Sequence, residues 1–279
     1  VPLILEKIYR KQVVPMLEKG AMRLALKLPL VDKAIYSTIR KKLLDVFGGS
    51  VGQFIVGGAA ISPDTEEFLQ RIKFPVTVGY GMTDTAPLIS YTYCTGFKPG
   101  SVWRYLQNYL EVRIDSPDPE HTAGEIVVRG ENVMAGYYKN EAATSEVLRE
   151  GWLHTGDIGT MDPDGTLYIR GRSKTMILSP SGQNIYPEEI EAKLGNLYLV
   201  MESLVVEREG KLIAMVYPDY ETARAEGVAD EAIPEIMERN LAELNSLVAP
   251  FERVSSIVIY PTEFEKTPKK SIRRYLYQL

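Results

Sequence analysis

Residues 52–81 read GQFIVGGAAISPDTEEFLQRIKFPVTVGYG, and the order of textures in this stretch decides the fold. Residues 52–60 predict a buried strand that closes on glycines. Residues 62–72 predict a helix, with Ser62 as N-cap and Pro63 in the first turn. Phe68, Leu69 and Ile72 would form its inner face. Residues 74–81 predict a second strand, again ending in glycine. Strand, helix and strand in that order imply a parallel pair with a crossover. Ligands of such sheets sit beyond the C-terminal ends of the strands. The glycine-bearing loops 57–60 and 79–83 both fall at that edge.

Upstream, residues 3–47 carry apolar positions three and four apart and predict helices. Downstream, residues 88–170 change to short strands with frequent turns, clearest in YLEVRID, GEIVVRG and GTLYIRG, and predict an antiparallel barrel or sheet. From residue 172 a third texture begins. Residues 184–197 predict a helix with Pro187 near its start and Ile190, Leu194 and Leu197 inward. Residues 203–217 predict a hairpin turning over Glu209 and Gly210. Residues 234–248 place Met237, Leu241, Leu244 and Val248 on one helical face, and 255–260 predict a last strand. The expected organisation is α/β plus α+β: 1–87 an α/β portion, 88–171 a β-rich subdomain, and 172–279 a small α+β domain.

The chain has 279 residues, 45% hydrophobic and 25% charged, which suits one large or two ordinary globular domains. It contains no run of 18 apolar residues, so no transmembrane segment is expected. Its first residues lack the pattern of a signal peptide. The single cysteine, Cys94, excludes an internal disulfide and fits a reducing compartment, so a cytoplasmic location is expected. His121 and His154 are the only histidines, which argues against a zinc site. Charge is uneven: residues 1–50 carry a net +6 and the remainder −11. The basic start suits peripheral contact with a membrane surface, a phosphorylated ligand, or simply a solvated helical face.

Several side chains could carry chemistry. In GGAA, Gly57, Gly58 and Ala59 would let a ligand approach the backbone, or would only turn the chain. In YGMTD, Tyr80 offers a face for a base, Thr83 a hydroxyl for a phosphate oxygen, and Asp84 a hard ligand for magnesium. The same segment also suits a core tyrosine followed by a helix cap. Asp157 in HTGD follows a small residue and precedes a strand. It could accept two hydrogen bonds from a ribose diol, or cap a turn. Arg172 could donate to sugar or phosphate, or form a surface ion pair. In this order the set describes a nucleotide site.

The chain resembles the adenylate-forming (AMP-binding) enzymes, specifically long-chain fatty acid acyl-CoA synthetases. The resemblance rests on VGGAAISPDTEEFL, VGYGMTDTAPLIS, GEIVVRGENVMAGYYKNEAAT, GWLHTGDIGTMDPDGTLYIRGRSKTMIL, SGQNIYPEEIE and EKTPKKSIRRYLY, which follow in family order over essentially the whole chain. It implies an acid–thiol ligase that joins a fatty acid to ATP as an acyl-adenylate and then passes the acyl group to coenzyme A. An acyl-AMP ligase that delivers to a carrier protein, or a non-catalytic nucleotide-binding module, are the alternatives. By the resemblance, Gly57, Gly58, Ala59 and Tyr80 would hold the adenine, with Gly81 beside them. Thr83 would bind the α-phosphate, and Asp84, where the family usually has Glu, would help hold Mg2+. Asp157 and Arg172 would take the ribose hydroxyls. Lys174 would be the hinge about which 172–279 moves, and Gly182 would lie beside the pantetheine channel of the CoA-bound state. Partners would be the fatty acid, ATP and coenzyme A; nucleic acid is not among them.

Two departures stand out. The family's Gly/Ser/Thr-rich phosphate loop matches no stretch here, so the expectation is a C-terminal half that is inactive alone. The family also usually ends in a Pro-x-x-Gly-Lys-like segment whose lysine bridges carboxylate and phosphate. Here the segment is TPKKSIRRYLY, with Ser271 aligned at that lysine and Lys270 one position earlier. Lys270 is the candidate for the catalytic cation. A positive charge about 4 Å from an anion contributes about 4 kcal/mol at intermediate dielectric.

Overall fold

The computed structural model describes residues 5–6, 8–9, 13–17, 19–28, 30–58, 61–96, 98–267 and 271–277. The chain divides into two compact units, residues 1–169 and 170–279. No described helix is long and apolar enough to cross a membrane.

The first unit opens with helices α1 (Val14–Leu17), α2 (Gly20–Ala25) and α3 (Val31–Val46), the last burying Ile39 and Leu43. The opening stretch then folds as its texture predicts. Strands β1 (Phe54–Val56) and β2 (Val76–Val78) pair in parallel, Phe54 opposite Val76 and Val56 opposite Val78, with helix α4 (Pro63–Arg71) as the crossover. Phe68, Leu69 and Ile72 are buried against Val56, Val76 and Val78. Phe54 stacks on Phe74 and meets Phe47 edge-on. Ser62 does occupy the N-cap position, but its hydroxyl bonds the Thr65 hydroxyl at 2.8 Å and not a backbone N–H. The competing hydroxyl one turn along takes the cap's hydrogen bond.

The expected second strand over 74–81 is broken. Gly79 N still donates to Val56 O at 2.7 Å, and the chain then leaves the parallel pair. Strand β3 (Tyr80–Gly81) pairs antiparallel with β4 (Leu88–Ser90). The approach there is so close that a Cβ on Gly81 would stand 1.8 Å from Pro87 O, so only glycine fits.

The β-rich part is a six-stranded antiparallel sheet. Its order is β5 (Trp103–Arg104), β10 (Thr166–Arg172), β9 (Trp152–Met161), β7 (Gly124–Gly130) and β6 (Leu110–Asp115), with β8 (Leu148–Arg149) paired to β9. Alternation in β6 buries Leu110, Val112 and Ile114 against Ile126, Val128 and Leu167. Helix α5 (Glu141–Val147) precedes β8 and is capped by Asn140, whose side chain accepts from Ala143 N.

In the second unit, β11 (Ile177–Leu178) and β12 (Asn184–Ile185) form a small hairpin ahead of helix α6 (Pro187–Leu194). Strands β13 (Val200–Arg208) and β14 (Lys211–Pro218) form the larger hairpin. Glu209 and Gly210 at its tip both have positive φ, 52° and 74°, as a two-residue hairpin turn of matching twist requires. After helix α7 (Tyr220–Ala225) and helix α8 (Ile233–Leu247), β15 (Val254–Ile259) adds parallel to β14. One sheet face packs on α6 and α8 through Ile190, Leu194, Val205, Val216, Met237 and Leu244. Leu241 and Val248 join this core at its margin, as the helical spacing predicts. The tail covers the other face: Phe264 and Tyr277 pack on Leu204, Val206 and Met215.

Candidate functional site

Within the first unit, the C-terminal edge of the parallel pair gathers the predicted loops. Gly57 and Gly58 follow β1 directly, and a Cβ on Gly57 would lie 3.2 Å from Gly79 O, so the two loops adjoin. Gly58 has φ +82°, a conformation glycine adopts without strain. Ala59 lies outside the described residues.

Tyr80 is 7% exposed and packs with Ile89, Leu110, Ile126 and Leu167. Its hydroxyl donates to Asp157 Oδ2 at 2.8 Å across 77 residues of sequence. The structure thus brings together two of the residues singled out by sequence. Asp157 does not precede a strand, as expected, but lies inside β9, 8% exposed. The reason is local: β9 continues through HTGD as a bulge against β7, with Ile158 opposite Glu125 but His154 opposite Val127 and Gly156 at φ 71°, and neighbouring side chains satisfy the backbone there. Asp157 N donates to Thr155 Oγ1 at 3.1 Å, and Thr155 Oγ1 donates to Ile126 O at 2.7 Å. Glu125 of β7 holds the same stretch, accepting Gly156 N at 2.9 Å and lying 2.7 Å from His154 Nδ1.

Thr83 opens a single 3-10 turn, Thr83–Thr85, and is exposed. Buried Thr85 fixes the turn, with its hydroxyl 3.0 Å from Met82 O and 3.1 Å from Pro87 O. Asn132 Nδ2 donates to Thr85 O and Leu88 O, both at 2.8 Å. Met134 N donates to Asp84 O at 2.8 Å, and the Tyr137 hydroxyl to Asp84 Oδ2 at 2.8 Å. The Asp84 carboxylate raises the Tyr137 phenol above its usual range by accepting its proton in that hydrogen bond. At Gly81 the space a side chain would take is filled by the chain's own residues 87–88.

Among the described residues no group of three or more His, Cys, Asp or Glu could hold a metal ion. A single carboxylate at Asp84 does fit Mg2+, which commonly takes one or two carboxylates and completes its shell with phosphate oxygens and water.

In the second unit Arg172, Lys174 and Gly182 are exposed, the first at a strand end and the other two in turns. Arg172 ends β10, and its carbonyl accepts Thr175 N at 3.1 Å and Met176 N at 3.0 Å. Lys174 sits inside that turn. Gly182, φ +80°, lies in the turn between β11 and β12, where Ser179 and Gln183 exchange hydrogen bonds of 2.8 Å. Lys270 lies outside the described residues. Its flanks are pinned together: Lys266 bridges Ile272, Thr267 N donates to Ser271 O at 2.8 Å, and Arg273 N donates to Glu265 O at 2.8 Å.

Sequence reading gave no role to Glu125, Asn132, Thr155 or Tyr137. The signal was present only as membership of the quoted motifs GEIVVRGENVMAGYYKNEAAT and HTGD.

Residues 3–138 match the model of the AMP-binding enzyme family. Long chain acyl-CoA synthetase 1 of Arabidopsis thaliana is 31% identical over 261 residues, 85% of this chain and 39% of that protein. A 2-succinylbenzoate–CoA ligase of Bacillus cytotoxicus is 36% identical over 230 residues, 80% of this chain and 45% of that protein. The chain thus spans less than half the length of these relatives. Among solved structures, the ATP-bound RpMatB-BxBclM chimera B1 superposes with a TM-score of 0.70 at 26% identity, over 88% of this chain and 49% of that one.

Proposed function

We propose, for a chain whose residues 3–138 belong to the AMP-binding enzyme family and whose relatives include CoA ligases, that it serves the ATP-dependent ligation of a fatty acid to coenzyme A. The observation that carries the proposal is the 2.8 Å hydrogen bond from Tyr80 to Asp157. It joins a loop at the ligand edge of the parallel pair to a buried carboxylate suited to a ribose diol.

In this reading Gly57, Gly58, Ala59 and Tyr80 line the adenine, Thr83 meets the α-phosphate, and Asp84 supplies one oxygen ligand to Mg2+. Asp157 and Arg172 bind the ribose. The acid's carboxylate oxygen attacks the α-phosphorus of ATP and pyrophosphate leaves. The sulfur of coenzyme A then attacks the acyl carbon, its proton is lost, and AMP leaves. Lys270 bridges carboxylate and phosphate in the first step. Residues 172–279 form a domain that turns about Lys174, bringing Gly182 toward the pantetheine in the second step. The reaction belongs in the cytoplasm, in keeping with the single cysteine.

A second reading changes the acid. The 2-succinylbenzoate–CoA ligase is more identical to this chain than the long-chain synthetase is, 36% against 31%, over a comparable share. The test is pyrophosphate release by the full-length protein with ATP and Mg2+, offering fatty acids of graded length and 2-succinylbenzoate, with and without coenzyme A. Release with fatty acids, followed by consumption of the thiol, is the expected result. Release with the aromatic acid alone would move the assignment to the second reading. Release with coenzyme A left unconsumed would favour a carrier-protein ligase, and no release with any acid would overturn both readings.

A further inference from the structure

The first unit holds a carboxylate–imidazole pair that the proposed chemistry does not use. Glu125 Oε2 lies 2.7 Å from His154 Nδ1, and a carboxylate at that distance accepts, which places a proton on Nδ1. Both side chains are largely covered, Glu125 26% and His154 16% exposed. The other oxygen, Glu125 Oε1, accepts Gly156 N at 2.9 Å. From its place on β7, one carboxylate thus ties the His154 side chain to the backbone of the same strand, β9, at Gly156.

That backbone is the bulge in which Asp157 sits. Between the pairs Glu125–Ile158 and Val127–His154, β7 supplies only Ile126, whereas β9 supplies Thr155, Gly156 and Asp157. A bulge leaves backbone groups without ladder partners and re-aims the side chain it carries. The Thr155 hydroxyl takes up Asp157 N, and Glu125 takes up Gly156 N. Glycine at 156 suits the positive φ of 71°. Sheet stability alone does not call for a carboxylate at 125. Asp115 stands directly opposite Glu125 on β6, and like charges directly opposite are destabilising. What Glu125 adds is a fixed bulge beside Asp157.

We propose that Glu125 and His154 are positioning residues: Glu125 holds the bulge at Gly156, His154 holds Glu125, and together they set the Asp157 carboxylate against the ribose of a bound nucleotide. That Asp157 meets a ribose rests on the proposed function; the hold on the bulge does not.

Calorimetric titration of AMP and of 2′-deoxy-AMP into the full-length protein tests it. The ratio of the two affinities reads the carboxylate at the sugar, whereas general loosening of the fold weakens both nucleotides alike. The wild type should prefer AMP about tenfold, the effect of one hydrogen bond to a carboxylate. Glu125→Ala should nearly abolish that preference while 2′-deoxy-AMP still binds. Glu125→Gln keeps an acceptor for Gly156 N and should restore most of it. His154→Ala should reduce the preference to about threefold, a loss within the range of one neutral hydrogen bond. His154→Asn, whose amide can donate where Nδ1 does, should recover it, and this second pair decides the matter if Glu125→Ala does not fold. The wild-type preference kept in both alanine variants would overturn the proposal and leave the ribose reading standing. A wild type that binds the two nucleotides equally would overturn both.

Discussion

Asp157 in the first unit sits inside a ten-residue strand, with Tyr80, Thr155 and Glu125 holding it or the backbone beside it. Arg172, Lys174 and Gly182 in the second unit are exposed, at a strand end and in two turns, with backbone bonds to Arg172 O and from Gly182 N closing those turns. A group that must meet a ligand at one fixed place is best supported by a sheet whose register a one-residue slip would ruin. A group that must change place between two half-reactions is best placed on a turn that can rotate without unmaking a core. The contrast is the structural counterpart of the proposed division between a nucleotide-holding unit and a moving one.

Substitutions can break that comparison. Asp157→Asn should weaken AMP binding about a hundredfold, since two hydrogen bonds to a charged acceptor together contribute about 3 kcal/mol. Arg172→Ala, at an exposed strand end, should cost tenfold or less by the same titration, about 1.4 kcal/mol. Equal losses in the two variants would erase the distinction between the units.

Buried carboxylates sharpen it further. Glu66 in the first unit and Glu191 in the second are both pushed to about 7 by burial, but Glu66 is opposed only by the Gly100 N–H and Glu191 by a guanidinium. A folded pKa above the ordinary 4.5 means that the folded state holds the proton more tightly. Its contribution is fully present below about pH 4.5 and is lost as pH rises through about 7, by about 3 kcal/mol at ~1.4 kcal/mol per unit. Urea midpoints of the first unit's transition should fall over this window, and Glu66→Gln should flatten the fall. Gly81→Ala comes next. A Cβ that close to Pro87 O should destabilise the first unit by at least about 2 kcal/mol, read from the same midpoints. The smallest effect is at Tyr137→Phe. Removing the phenol's hold on Asp84, about 1 kcal/mol, should lower the half-saturating Mg2+ concentration about fivefold in pyrophosphate release.

The features legible in the sequence were those set by near neighbours. The β1–α4–β2 crossover, the 209–210 hairpin tip and the inner faces of α6 and α8 all follow from periodicity and turn chemistry within some thirty residues. The features that were not legible depend on distant parts of the chain. The break after Gly79 follows from the approach of residues 87–88, and the Ser62 cap bond is lost to a hydroxyl whose rotamer no pattern reveals. Asn132 reaches back 44 and 47 residues and Tyr137 reaches back 53 to hold the 83–88 turn. Arg274 reaches back 83 residues to Glu191. Candidate site residues were found because they carry chemistry; their supports were missed because support is geometry.

The most direct test of the central claim is calorimetric titration of AMP into the full-length protein, wild type and Asp157→Asn side by side. The account predicts saturable binding to the wild type and a loss of about a hundredfold in the variant. Equal affinity in both, or no binding to the wild type, would contradict a nucleotide site built on Tyr80 and Asp157.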